Sequence, residues 1–158
     1  METLTPVSAC RHTTRIHVST AHPTQFIDLT DRLDALVADA GLRFGILNVQ
    51  TLHTTTAIVV NEHEPLLLAD FQSMLEAAAP GDGPYQHDDA AARTVNLTDA
   101  ERPNGHAHCR ALLLPSSACL NVVSGRLLLG RWQRVFLVEL DGPRDREVSV
   151  VIFGETAR

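Results

Sequence analysis

The sequence predicts an α+β fold, a mostly antiparallel sheet system carrying two or three helices. Two observations lead there. Short apolar, β-branched runs at period two, bounded by turn residues, recur early in the chain and again in its last third. Longer segments between them repeat their apolar residues at helical spacing and end on helix stops. No repeat or linker divides the 158 residues, so residues 1–158 are read as one domain. A chain of this size buries roughly two thirds of the surface it exposes when unfolded.

Taken in order, Arg15-Ile16-His17-Val18-Ser19 alternates as a half-buried strand does, and Phe26 to Leu29 continues as strand after Pro23. In the segment 31–40, Leu33, Leu36, Val37 and Ala40 share a helical face, and Gly41 supplies the stop. Phe44 to Leu52 and Ala57 to Val60 read as strands. Glu64-Pro65 opens a second helix with proline at its first position, where a missing N–H costs nothing, and the helix runs to Ala79 before Pro80-Gly81. Residues 80–104, rich in Gly, Pro and Asp, form a long loop of the kind that is functional or disordered. His106 to Leu114 reads as helix. Strands follow at 118–123, 126–129, 132–140 and 147–153, with turns at Ser124-Gly125 and Asp141-Gly142-Pro143.

Composition narrows the function. The chain is 44% apolar but only 4% aromatic, so the core is built from Leu, Val, Ile and Ala, and no cofactor-stacking platform is advertised. A formal charge of −6 argues against a general nucleic-acid binder. All 13 basic residues are arginine, which excludes a Schiff-base or P-loop lysine and suits bidentate contact with carboxylate or phosphate. A small anionic substrate is therefore expected. Cys10, Cys109 and Cys119, odd in number and without CxxC spacing, read as free thiols. The N-terminus has no apolar signal core and no run approaches the ~18 apolar residues of a membrane span. A cytoplasmic protein that engages neither membrane nor nucleic acid is expected.

Several side chains stand out chemically. On the second helix, Phe71, Met74 and Ala78 fall within about 40° of Leu67 and form the expected buried stripe. Asp70 lies about 60° from Leu67, so a partly buried carboxylate is expected, meeting an arginine, a histidine, a metal or backbone donors, or else bonding a neighbouring loop in a purely structural role. Among eight histidines, His53 ends a strand beside Thr54, Thr55 and Thr56, His87 sits in the long loop, and His108 belongs to an HAH triplet. Neutral imidazole both binds metals and exchanges protons near neutral pH. In a strand His106 and His108 would point together, whereas in a helix they diverge by about 200°. The ALLL that follows favours helix, which sets His108 on the core side with Ala111 and Leu112. In the strand at 132–140, Gln133, Val135, Leu137 and Glu139 share one face and Trp132, Arg134, Phe136, Val138 and Leu140 the other. Two apolar faces mark a central strand, on which Gln133 and Glu139 need partners. Arg131, Arg144 and Arg146 could hold an anion at its ends, Arg146 being more readily than Arg131 an exposed charge near a turn.

In this order, HTTTAIVVNE, LLLADF, YQHDD, NGHAHCRALLLPSS and SGRLLLGRWQRVFLVELDGPRDR resemble the YjbQ family of secondary thiamine-phosphate synthase enzymes, over the stretch from Arg11 to Gly154. The resemblance implies a compact fold with a β-sandwich-like core, assembled as a homotrimer with polar pockets near subunit boundaries. It places the family's recurrent polar set on His53, Thr54, Thr55, Asn61, Glu62, Asp70, His87, Asn104, His108, Gly125, Trp132, Gln133 and Glu139. Leu114-Pro115-Ser116 departs from the family's glycine-containing turn, and Asn121 stands where proline is common. Both concern backbone shape near the site.

The implied activity is a transferase reaction that joins a pyrimidine pyrophosphate to a thiazole phosphate. Such chemistry needs cationic groups or a divalent ion on the departing pyrophosphate. The catalytic set expected is His53, Glu62, Asp70, His87 and His108, with Thr54, Thr55, Asn61, Asn104, Arg131, Gln133 and Glu139 binding substrate or cofactor. A divalent metal, zinc or magnesium, is expected on His53, His87 and His108, with carboxylates orienting the imidazoles. Two alternatives remain beside it: a metal-dependent hydrolase or lyase of a small substrate, and a non-catalytic small-ligand or metal-binding protein.

Overall fold

The computed structural model describes residues 9–98 and 101–156 apart from the Cys10 side chain, so the free-thiol expectation for Cys10 lies outside the described residues. Strands β1 (Ala9–Ser19), β3 (Leu42–Thr51), β5 (Ser117–Val123), β6 (Arg126–Leu127) and β8 (Asp145–Thr156) form one antiparallel sheet in the order β1-β8-β3-β5-β6. Strands β2 (Gln25–Asp28), β4 (Thr56–Glu62) and β7 (Gln133–Glu139) form a second antiparallel sheet in the order β2-β7-β4. Among the described residues three α-helices accompany them: α1 (Thr30–Asp39), α2 (Pro65–Ala78) and α3 (Gly105–Leu112).

The alternation read from the sequence becomes two cores. Between the sheets, Val148, Val150 and Ile152 of β8 and Leu47 and Val49 of β3 meet Ile58 of β4 and Val135 and Leu137 of β7, with Leu33 and Val37 of α1 closing one end. On the other side of the small sheet, Ala57, Phe136 and Val138 meet Leu75 of α2 and Ala107 of α3. Strand β7 is therefore covered on both faces, as its two apolar faces require. The architecture is α+β, with the small sheet sandwiched between the large sheet and two helices.

Helix α2 departs from its expected orientation. Leu68, Leu75 and Ala79 face the core, whereas Met74 is 56% exposed. Asp70 is exposed, and its carboxylate has no hydrogen-bond or ion-pair partner among the described residues, so the expectation of a partly buried, partnered acid is corrected. Three successive leucines, Leu66 to Leu68, leave the helical phase ambiguous, and the surface of the small sheet selects Leu68. Glu64 starts the helix by accepting from the Leu66 and Leu67 N–H groups at 3.0 and 2.8 Å, satisfying donors that have no partner within the helix.

Candidate active-site cleft

The end of β7, the start of β8 and the corner between β3 and β4 meet at one end of the small sheet. Glu139, fully buried, is the anchor. Its carboxylate accepts from Arg146 Nε and Nη2, each at 2.6 Å, from the Leu140 and Asp141 N–H groups at 2.9 and 2.8 Å, and from the Thr20 hydroxyl at 3.1 Å. Arg146, 6% exposed, also donates from Nη2 to Thr55 Oγ1 at 3.0 Å. A charge pair removed from water needs this density of hydrogen bonds to persist. Beside it, Arg144 reaches Asp141 Oδ2 at 2.7 Å.

Helix α3 supplies the opposite wall. Asp88, in a short 3-10 turn at Gln86–Asp88, accepts from the Asn104 and Gly105 N–H groups at 2.9 and 2.8 Å and so caps α3 from outside the helix. Gly105 permits this contact, because a Cβ there would lie 2.4 Å from Tyr85 Cβ. The cap ties the turn that carries His87 to the helix that carries His108, and the two rings meet edge-on with centroids 4.6 Å apart. Burial first, and then the neighbouring His87, hold the His108 pKa below the usual imidazole value. Arg93 and Glu101, 2.9 Å apart, complete the rim. Together these groups enclose a cleft of about 840 Å³, within the range of small-molecule sites.

A family model described as UPF0047 protein YjbQ-like matches residues 14–155. The chain belongs to the YjbQ-like family. A UPF0047 protein of Methanothermobacter thermautotrophicus is 38% identical over 144 residues, covering 91% of this chain and 93% of that protein. A UPF0047 protein of Archaeoglobus fulgidus is 39% identical over 133 residues, covering 84% and 94%. The crystal structure of a YbjQ-like protein of unknown function from Sulfolobus solfataricus superposes with a TM-score of 0.82 at 36% identity, over 94% of this chain and 100% of that one. A YjbQ/UPF0047-family structure from Clostridium acetobutylicum gives a TM-score of 0.77 at 34% identity, over 88% and 98%.

In this YjbQ-like fold most of the residues singled out from sequence lie toward one end or the other of the small sheet, apart from Asp70 on α2. Thr54, Thr55, His87, Asn104 and His108 line the cleft, and Glu139 lies beneath its floor. His53 lies beside Arg146 but outside the lining, with Nε2 accepting from the Glu147 N–H at 2.9 Å. That bond leaves Nδ1 as its protonated nitrogen when neutral, and burial followed by the Arg146 charge lowers its pKa. Asn61, Glu62, Arg131 and Gln133 sit at the far end of the small sheet. Glu62 pairs with Gln133 while Thr56 pairs with Glu139, which separates the two groups by about 20 Å along the strand. Arg131 stacks on Trp132 at 4.4 Å from the ring centroid.

The sequence reading gave Arg146 the more exposed role, and the structure reverses it: Arg146 is buried and Arg131 exposed. The signal was present, since Arg146 shares a strand face with Val148, Val150 and Ile152. Arg93, Glu101 and Asp141 of the cleft went unnoticed because loop positions carry no periodicity. Of the three expected metal ligands, the structure brings together His87 and His108. Among the described residues no group of three or more His, Cys, Asp or Glu side chains is arranged to hold a metal ion. The three-imidazole set does not fit a resident cation, because His53 Nε2 is taken up by the Glu147 N–H.

Proposed function

We propose that this YjbQ-like protein is an enzyme acting on small phosphorylated substrates in the cleft, and that its reaction is of the thiamine-phosphate synthase type. A pyrimidine pyrophosphate is joined to a thiazole phosphate, and pyrophosphate departs. One observation carries this reading: two contacting imidazoles share a cavity with arginines that are fixed in place by carboxylates. Arg144 and Arg146 use Nε and Nη2 on their acidic partners, which leaves Nη1 of each for a ligand. Guanidinium groups already oriented in this way stabilise the charge that grows on pyrophosphate without having to reorganise during the reaction. His87 and His108 are the proton carriers, and the depressed pKa of His108 favours its neutral, proton-accepting form.

The proposal includes the homotrimer implied by the resemblance. Its support is the outer face of the large sheet, where Phe44, Ile46, Val123, Val151 and Phe153 are exposed together. It also keeps the protein in the cytoplasm. Free thiols at exposed Cys109 and Cys119 agree with a reducing compartment, and no described helix is long and apolar enough to cross a membrane.

The test is product formation from the two phosphorylated substrates by wild type, His87→Ala and His108→Ala, with folding checked by circular dichroism. Loss of a proton-transfer group lowers turnover by about a hundredfold or more. Equal turnover in the three proteins would remove both histidines from the chemistry, and no product from wild type would remove the reaction.

A further inference from the structure

The cations of the cleft are already matched one for one. Arg93 meets Glu101 at 2.9 Å, Arg144 meets Asp141 at 2.7 Å and Arg146 meets Glu139 at 2.6 Å. A ligand that brings only negative charge is therefore attracted by the arginines and repelled by their carboxylates. Unused acceptor capacity lies at the opposite wall. Asn104 is 6% exposed and fixed through Nδ2 on Asp141 Oδ2 at 3.0 Å, yet its Oδ1 has no partner among the described residues. Glu101 Oε2 and His87 Nε2 are also buried and without a hydrogen bond among the described residues, and the 3.7 Å from His87 Nε2 to Glu101 Oε1 is too long for one.

These atoms belong to one patch. Asn104 and His108 lie one helical turn apart, the His108 ring meets that of His87, His87 approaches Glu101, and all four line the cleft. The oxygens of Asn104 and Glu101 can only accept hydrogen bonds. Buried acceptors without donors are unfavourable, so a group that supplies N–H or O–H is selected there. The His87 and Glu101 side chains are 34% and 18% exposed, so neither is sealed inside the protein.

We infer that the cleft reads its substrate from two ends. An anionic group rests on Arg144 and Arg146 beside Thr54 and Thr55, and a head bearing at least two hydrogen-bond donors, an amine or amidine or a pair of hydroxyls, rests on Asn104 Oδ1 and Glu101 Oε2. This inference rests on the reading of the cleft as a site for phosphorylated substrates and adds the class of head group it selects. It holds whether or not thiamine phosphate is the product.

Calorimetry on the intact protein tests it with an aminopyrimidinylmethyl phosphate and the same compound without its amine, using inorganic pyrophosphate as a third probe. Wild type prefers the amine by about tenfold or more, the worth of one or two hydrogen bonds to buried or charged acceptors. In Glu101→Gln and Asn104→Ser, with melting temperatures checked, the preference shrinks to about twofold, while pyrophosphate affinity changes little in Asn104→Ser and rises in Glu101→Gln, where Arg93 loses its opposing charge. Equal binding of both organic probes by wild type would overturn the inference, because solvent would then be serving these acceptors. A preference retained undiminished in both variants would overturn the residue assignment. Failure of all three probes to bind would instead sink the underlying anion-site reading, and the inference with it.

Discussion

Glu139→Gln should be the most informative single substitution in this protein. Glutamine keeps the shape of the side chain and one carbonyl oxygen, so the Leu140 and Asp141 N–H groups can retain their acceptor. What disappears is the charge opposite Arg146, which is bound through two contacts of 2.6 Å and is 6% exposed. Removing one member of a buried pair costs about 3–5 kcal/mol, most of it from the charge left without compensation. That is a large part of a typical total stability of about 5–15 kcal/mol. For a chain of this size each kcal/mol moves Tm by about 2–4 °C, so a drop of roughly 6–20 °C is expected in a thermal melt followed by circular dichroism. Adding Arg146→Met removes the orphaned charge, and the double variant should melt well above the sum of the two single losses. A Glu139→Gln melt within about 2 °C of wild type, or strict additivity in the cycle, would show that Arg146 finds water and that this pair does not hold the cleft floor.

Other expectations follow from the same contacts. His108 and His53 both have depressed pKa values when folded, so the unfolded chain binds more protons and stability falls as pH drops through about 6.5. Urea midpoints measured on either side of that pH should show the loss, and His108→Asn should flatten it. Gly105→Ala places a methyl group 2.4 Å from Tyr85 Cβ and 2.7 Å from its Cγ, so a cost of about 1–3 kcal/mol is expected, together with weaker ligand binding as the His87 turn is pushed from α3. Unchanged melting and binding would refute that coupling. Asp28 is pushed up by burial, but hydrogen bonds from Arg134, Thr30 and His63 outweigh this and hold its carboxyl at about 2. Its stabilisation is complete above the unfolded value of 3.8 and is lost as pH falls toward 2, so the deficit of Asp28→Asn at neutral pH should shrink over that window in acid-unfolding curves.

Much of the architecture was legible because it is written in local periodicity. The alternation of β7 required two covered faces, and it has them. The helix expected after Gly105 separated His106 from His108, and the structure sends His108 to the cleft and His106 toward Tyr85, 6.3 Å between ring centroids. The phase of α2 was not legible, since Leu66, Leu67 and Leu68 satisfy several orientations equally and only the sheet beneath chooses among them. Nor did likeness of motif carry distance. Gln133 and Glu139 belong to the same strand and the same motif, yet an extended chain sets them at opposite ends of the sheet.

By itself, then, the sequence determined which segments become strand or helix, that lysine chemistry is excluded, and which family the chain joins. The tertiary structure decided which polar groups share a cleft. That decision rests on contacts made across turns and between separate elements, as when Glu139 meets Arg146 across a turn, Thr55 joins them from another strand corner and Asp88 caps a following helix. Periodicity reports only which way a side chain points relative to its neighbours in sequence. Which partner waits there, and whether a buried charge is tolerable, is settled when the sheets and helices pack.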